Sequence, residues 1–230
     1  MGYNTSQRTL AGQVTDLLRQ EILSGRLRDS EVLPQVELAR RYGVSTIPLR
    51  EALKTLETEG FVTFHSFQGA FVAPLTVREL SELGRIHTAL ECEALRQGVR
   101  KMSEASIEAA AAVAERIPGE IDPLKRYQLA MQYHDTLYAE LEMPLLFTMI
   151  KQVSTRSQRY LATYMELAKR YGPPPVTRLD VIAACRKRDS EAAAAAFTEF
   201  MMRLVGFLVY YAEDWQKPPL MPKKPQKVRK

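Results

Sequence analysis

Hydrophobic and polar residues repeat along the first third of the chain with two different periods. Over residues 6–23, Leu10, Val14, Leu17, Leu18 and Ile22 fall on one helical face, and Ser24-Gly25 closes the pattern. A second short helix is predicted through VELARRY, Gly43 marks a tight turn, and a third helix carries Leu49, Leu53 and Leu56 inward. Pro48 falls in the first turn of that third helix, where its missing N–H would have had no intrahelical partner. The start is therefore expected at Ser45, whose hydroxyl would accept from a free backbone N–H. Two helices joined by a short Gly-containing turn describe a helix-turn-helix. After Gly60 two short β-prone runs, 61–64 and 70–73, flank a turn-prone His-Ser-Phe-Gln-Gly segment, which predicts a hairpin, or wing.

The remainder repeats with the helical period. Leu80, Leu83, His87, Leu90 and Ala94 form one stripe, and Leu124, Tyr127, Met131, His134 and Leu141 another. Met149, Val153, Tyr160, Tyr164 and Leu167 predict one long helix that stops before Gly172 and the prolines after it. Two more helices are expected at 176–187 and 190–213, the second turning Phe197, Phe200, Leu204 and Tyr211 inward. The fold class is mainly α: an N-terminal winged helix-turn-helix with a small β-hairpin wing, then an all-α antiparallel bundle of six or seven helices. The expected boundaries are 6–74, a linker at 75–78, a helical domain at 79–214 and a tail at 215–230.

Composition adds a folded core, since 46% of the 230 residues are hydrophobic. The net charge of +5 belongs to the tail: its sixteen residues hold six basic and no acidic side chains, leaving −1 for the rest. This Pro- and Lys-rich end reads as disordered, either solubilising or a non-specific contact to nucleic acid or anionic lipid. Residues 1–75 hold eight basic and eight acidic side chains, so any DNA binding there must come from placement. Cys92 and Cys185 form no paired motif, which argues against a disulfide or zinc framework and for a reducing, cytoplasmic compartment. No apolar run approaching bilayer length and no N-terminal charged-then-apolar segment is expected, and no membrane partner follows. Catalytic triads, phosphate loops and clustered acidic pairs are missing from the pattern, so the chain does not read as an enzyme.

The runs ILSGRL, LPQVELARRYGVSTIPLREAL, EGFV and GAFV, in this order, closely resemble the DNA-binding domain of the GntR family of bacterial transcription regulators. RIHTALE, YHDTLYAELEMPLL and RKRDSEAA resemble more loosely the FadR-type C-terminal (FCD) domain, which binds an effector and dimerises. The resemblance implies that the Pro48 helix is the recognition helix, with Ser45, Thr46 and Arg50 at the DNA surface and Gln68 and Gly69 at the wing tip near the minor groove. Positions 46 and 68 usually carry arginine in such proteins, so two guanidinium contacts are replaced by Thr and Gln. Many members bind a divalent metal through one Asp and three His. Those positions are Ala130, His134, Arg178 and Phe200 here, and the resemblance therefore implies no metal and no other cofactor. The family Asn after the His helix is Met143, and the family Arg of the first bundle helix is His87. A different metal set from His87, Glu91 and His134 is the alternative.

Together these readings predict a ligand-responsive transcription regulator, a repressor, that binds a palindromic double-stranded operator as a homodimer. Its effector is expected to be a small anion held by Arg178, with His134 and His87 beside it and Phe200 as apolar wall. Ser154, Arg156 and Ser157 are polar intrusions in the long helix, and Arg178 and Arg156 either border a cavity or are both solvated. The competing readings are a DNA-binding architectural protein that senses nothing, whose bundle would be filled by side chains, and an enzyme of the helical domain.

Overall fold

The computed structural model describes residues 9–215; the predicted start at residue 6 and nearly all of the basic tail lie outside them. Helix α1 (Leu10–Leu23) begins at Thr9, whose side chain accepts from Gly12 N–H at 3.1 Å. Its buried face is Val14, Thr15, Leu18, Glu21 and Leu23, whereas Leu10 and Leu17 are exposed, so the face is rotated from the predicted stripe. Helix α2 (Gln35–Arg41) and helix α3 (Thr46–Thr58) flank a turn in which Gly43 takes a φ of +66°. The start of α3 is where Pro48 requires it, but Ser45 makes no side-chain capping bond, contrary to expectation. Leu49, Ala52, Leu53 and Leu56 seal α3 onto α1, and Arg19 of α1 donates to both oxygens of Glu59 at the end of α3.

The wing is a three-stranded antiparallel sheet. Strand β2 (Val62–His65) pairs with β3 (Gly69–Val72), and a two-residue strand β1 (Val32–Leu33) adds to the other edge of β3, in the order β1-β3-β2. Two residues show no alternation, so β1 carries no sequence signal; its register, Val32 opposite Phe71 and Leu33 opposite Ala70, is set by β3.

Seven α-helices follow: α4 (Val77–Gly98), α5 (Glu104–Arg116), α6 (Pro123–Leu137), α7 (Pro144–Ser157), α8 (Leu161–Tyr171), α9 (Leu179–Arg186) and α10 (Ser190–Tyr210). Helices α4 and α10 form the central pair, close enough that a Cβ on Gly84 would come within 2.9 Å of Val205. The predicted long helix is broken: α7 ends at Ser157, a 3-10 turn runs through Gln158–Tyr160, and α8 starts again at Leu161. Ser157 donates back to the Val153 carbonyl at 2.9 Å, a bond that bends helices. On α6 the buried side is Leu129, Ala130, Tyr133, His134 and Leu137, with Tyr127 and Met131 only half-buried and Leu141 past its end.

The expectation that no segment approaches bilayer length is corrected. Helix α10 is long and apolar enough to cross a membrane by length and composition, with a mean hydropathy of 1.6 over its most apolar window. Its Ala193, Ala194, Phe197, Phe200, Met201 and Leu208 are buried against the bundle, while Met202 and Tyr210 on its other side are exposed.

Candidate effector cavity and DNA-facing surface

At the N-terminal end of α3, Ser45, Thr46 and Arg50 are exposed on the side away from the Leu49–Leu53–Leu56 core. Arg50 Nε lies 3.4 Å from the Gln35 side-chain oxygen of α2, a long bond that leaves the guanidinium at the surface. Gln68 is exposed at the wing tip and Gly69 is half-buried with a φ of +94°. The first turn of α3 thus presents hydroxyls, a guanidinium and unsatisfied N–H groups together, a combination suited to phosphates and base edges.

The bundle holds a half-open cavity of about 410 Å³ between α4, α6, the α7–α8 junction and α10, a size that suits a small metabolite. All four predicted effector residues, His87, His134, Arg178 and Phe200, line it, and so does Ala130. Arg178, just ahead of α9, turns inward: its guanidinium carbon lies 4.7 Å from the Phe200 ring centroid and 5.6 Å from that of Tyr133. Its Nε is buried and has no hydrogen-bond partner among the described residues, and the Tyr133 hydroxyl is in the same position. Burial lowers the Arg178 pKa, against the pull of Tyr133 and Glu91. Ser154 and Ser157 also line the cavity, whereas Arg156 pairs with Glu79 at 2.8 Å on the other side of α7.

Behind the two histidines stands Glu91, fully buried. Its Oε1 is 3.2 Å from His87 Nε2 and 2.8 Å from His134 Nδ1, and its Oε2 accepts from the Tyr138 hydroxyl. Burial alone would raise the Glu91 carboxyl; the contacts with His134 and His87 outweigh it and hold the group below the usual carboxylate range. Burial depresses His87 despite Glu91. Glu91 and Tyr138 lie in the runs RIHTALE and YHDTLYAELEMPLL, but their hydrogen bond, across 47 residues, is made by the fold and leaves no spacing signal in the sequence.

The junction between α7 and α8 has a second face. Tyr160 and Gln158 line the cavity, while Arg159, nearly fully buried, donates to the carbonyls of Ala73 at 2.8 Å and Pro74 at 2.7 Å. The same guanidinium pairs with Glu79 at 3.2 Å, and the Tyr160 hydroxyl donates to the Thr76 carbonyl at 3.0 Å and accepts from Thr76 N–H at 3.2 Å. Asp29 accepts from Leu75 N–H at 3.0 Å, so the segment between wing and bundle is fastened from both sides. Arg156 packs on Gly60, where a Cβ would come within 2.9 Å of its Nε.

Residues 10–72 match the family described as bacterial regulatory proteins, gntR family, and residues 82–203 match the FCD domain. The chain belongs to the FadR-like branch of the gntR regulators. It is 37% identical over 92 residues to the HTH-type transcriptional regulator BphR of Paraburkholderia xenovorans, covering 40% of this chain and 38% of that one. It is 29% identical over 136 residues to the Nta operon transcriptional regulator of Aminobacter aminovorans, covering 58% and 65%. The chain therefore spans less than two thirds of the length of either relative. A crystal structure of a GntR-family regulator from Pseudomonas syringae superposes with a TM-score of 0.52 at 25% identity, covering 93% of this chain and 90% of that one.

The chain thus carries both parts of the family, a gntR-type helix-turn-helix and an FCD domain, and the families and relatives it matches are transcription regulators. The metal positions that the FCD resemblance implies do not fit an ion here, since Ala130 and Phe200 offer no ligand atom and Arg178 brings a cation. The alternative set does come together: His87, Glu91 and His134 place one ligand atom each within 4.8 Å of one another. Those atoms are turned on each other, with the Arg178 charge close enough to act on His87.

Proposed function

We propose that the protein is a homodimeric repressor that binds a palindromic operator and releases it when a small anionic metabolite enters the bundle cavity. The observation that carries the reading is Arg178, a guanidinium aimed into a largely apolar cavity with its Nε unpaired. A buried donor without a partner is destabilising, and a carboxylate or phosphate satisfies it with a two-pronged, charge-assisted bond. Arg178 stands where metal-dependent relatives would place a ligand, so the guanidinium takes over the attraction for an anion. Phe200 and the apolar lining favour an acyl or aromatic part on the same molecule.

In this reading residues 6–74 form the DNA reader and 79–214 the sensor, joined by 75–78. Ser45, Thr46 and Arg50 face the operator, with Gln68 and Gly69 near the minor groove. Occupation of the cavity acts on Ser157, Gln158 and Tyr160, and the opposite face of that turn holds the linker through Arg159. Dimerisation is supported by apolar side chains left exposed on the central pair, Met202 and Tyr210 of α10 and Ile86 of α4.

A thermal-shift screen of carboxylic acids, sugar acids and acyl thioesters, followed by gel-shift release from operator DNA, tests the proposal. Anions that both stabilise the protein and release DNA are expected. Stabilisation only by neutral or cationic compounds would refute it.

A further inference from the structure

The wing residues 61–73 include no Lys, Arg, Asp or Glu. Such a hairpin gains nothing from phosphate neutralisation, the sequence-independent source of affinity for DNA. What it presents instead is an aromatic ring. Phe67 is 108% exposed and so packs against nothing in the described chain. It occupies the third position of a tight turn closed by Gln68 N–H donating to the His65 carbonyl at 3.1 Å, and its φ is +63°. That position of such a turn favours glycine, and an aromatic residue there is strained.

Two other non-glycine residues, Ser30 and Arg188, also have positive φ, but each is held by contacts. Ser30 N–H donates to the Val72 carbonyl, and the Arg188 side chain donates to the Val99 and Met102 carbonyls. At Phe67 only the turn bond is present, and the ring has no partner among the described residues.

We propose that Phe67 is an apolar wedge that enters the minor groove beside the half-site occupied by α3, with the Gln68 amide reaching a base edge next to it. The position follows from the chain: β2 starts directly after α3 at the Gly60 turn, so the hairpin rises beside the recognition helix. Apolar side chains that enter the minor groove unstack a base step, and pyrimidine–purine steps yield most readily. The wing would thus add selectivity for a deformable step, in place of the guanidinium contact that Gln68 has lost. This rests on α3 being the DNA reader.

The test begins with full-length protein and a duplex selected by it from a randomised pool, labelled with 2-aminopurine at the flexible steps beside the half-site. Phe67→Gly suits the turn and should melt at or above the temperature of the parent. It is expected to bind the duplex about tenfold more weakly, with an unchanged salt slope and without the fluorescence rise that reports unstacking. Phe67→Leu, still an apolar wedge, should recover most of the affinity. Arg50→Ala in parallel separates the two levels: if it binds normally, the reading of α3 fails rather than that of the wing. Affinity of Phe67→Gly within about twofold of the parent, an unchanged fluorescence signal, or a change in oligomeric state instead of DNA affinity would overturn the proposal.

Discussion

Replacing Arg159 with Met removes the fastening of the interdomain segment while keeping much of the side chain's apolar volume. The Arg159 side chain is 2% exposed and donates to the Ala73 and Pro74 carbonyls at 2.8 and 2.7 Å while pairing with Glu79 at 3.2 Å. Hydrogen bonds to a charged group contribute about 1.5–3 kcal/mol each, and relief from burying a cation offsets part of the loss. The expected destabilisation is about 3 kcal/mol, or roughly 6–12 °C in Tm for a chain of this size. Arg156→Met is the control: that side chain is 49% exposed in its pair with Glu79, so under about 1 kcal/mol is expected. Thermal melts and amide exchange at residues 73–76 read both variants. Arg159→Met should also bind operator yet respond weakly to effector. A loss under about 1 kcal/mol, with unchanged protection of the Leu75 and Thr76 amides, would refute the idea that Arg159 holds the linker.

Arg50→Ala should lose about 1–3 kcal/mol of operator affinity in a gel shift at fixed salt, with an unaltered circular dichroism spectrum. Light scattering should give a mass of two chains at micromolar concentration, and Met202→Glu, which charges the exposed face of α10, should shift it toward one. Acid should destabilise the protein in two stages. His87 is depressed below its ordinary 6.5, so its contribution is complete above that pH and declines as pH falls, by up to about 1.4 kcal/mol per unit. Glu91, held below its ordinary 4.5, adds a second loss beneath that value, and urea titrations of His87→Gln should show a flatter first stage.

The winged helix-turn-helix was legible because local chemistry fixes it: Pro48 can occupy only a first turn, and Leu49, Leu53 and Leu56 can face only one way from there. The bundle was legible as helices but less so as faces. On α6 the apolar residues Tyr127 and Met131 suggested a stripe, yet Tyr133 and His134 are buried because Arg178 and Glu91 await them across the core. The break at Gln158–Tyr160 could not be read either, since Val153, Tyr160 and Tyr164 keep helical spacing through it. What interrupts the helix involves Ser157 bonding back to Val153 and contacts to residues 73–79, 80 or more positions away in sequence for Arg159 and Tyr160. The inward turn of Arg178 was inferred from a substituted ligand position, because periodicity says nothing of a side chain ahead of a short helix.

The central claim is that the cavity binds an anion through Arg178, and calorimetric titration tests it most directly. The carboxylate that emerges from the thermal-shift screen is titrated into the parent protein and into Arg178→Met, with the operator affinity of both measured in its absence. The account predicts roughly ten- to hundredfold weaker anion binding by Arg178→Met, the value of one charge-assisted bidentate contact, with operator affinity unchanged. Equal anion affinity in the two proteins would contradict it.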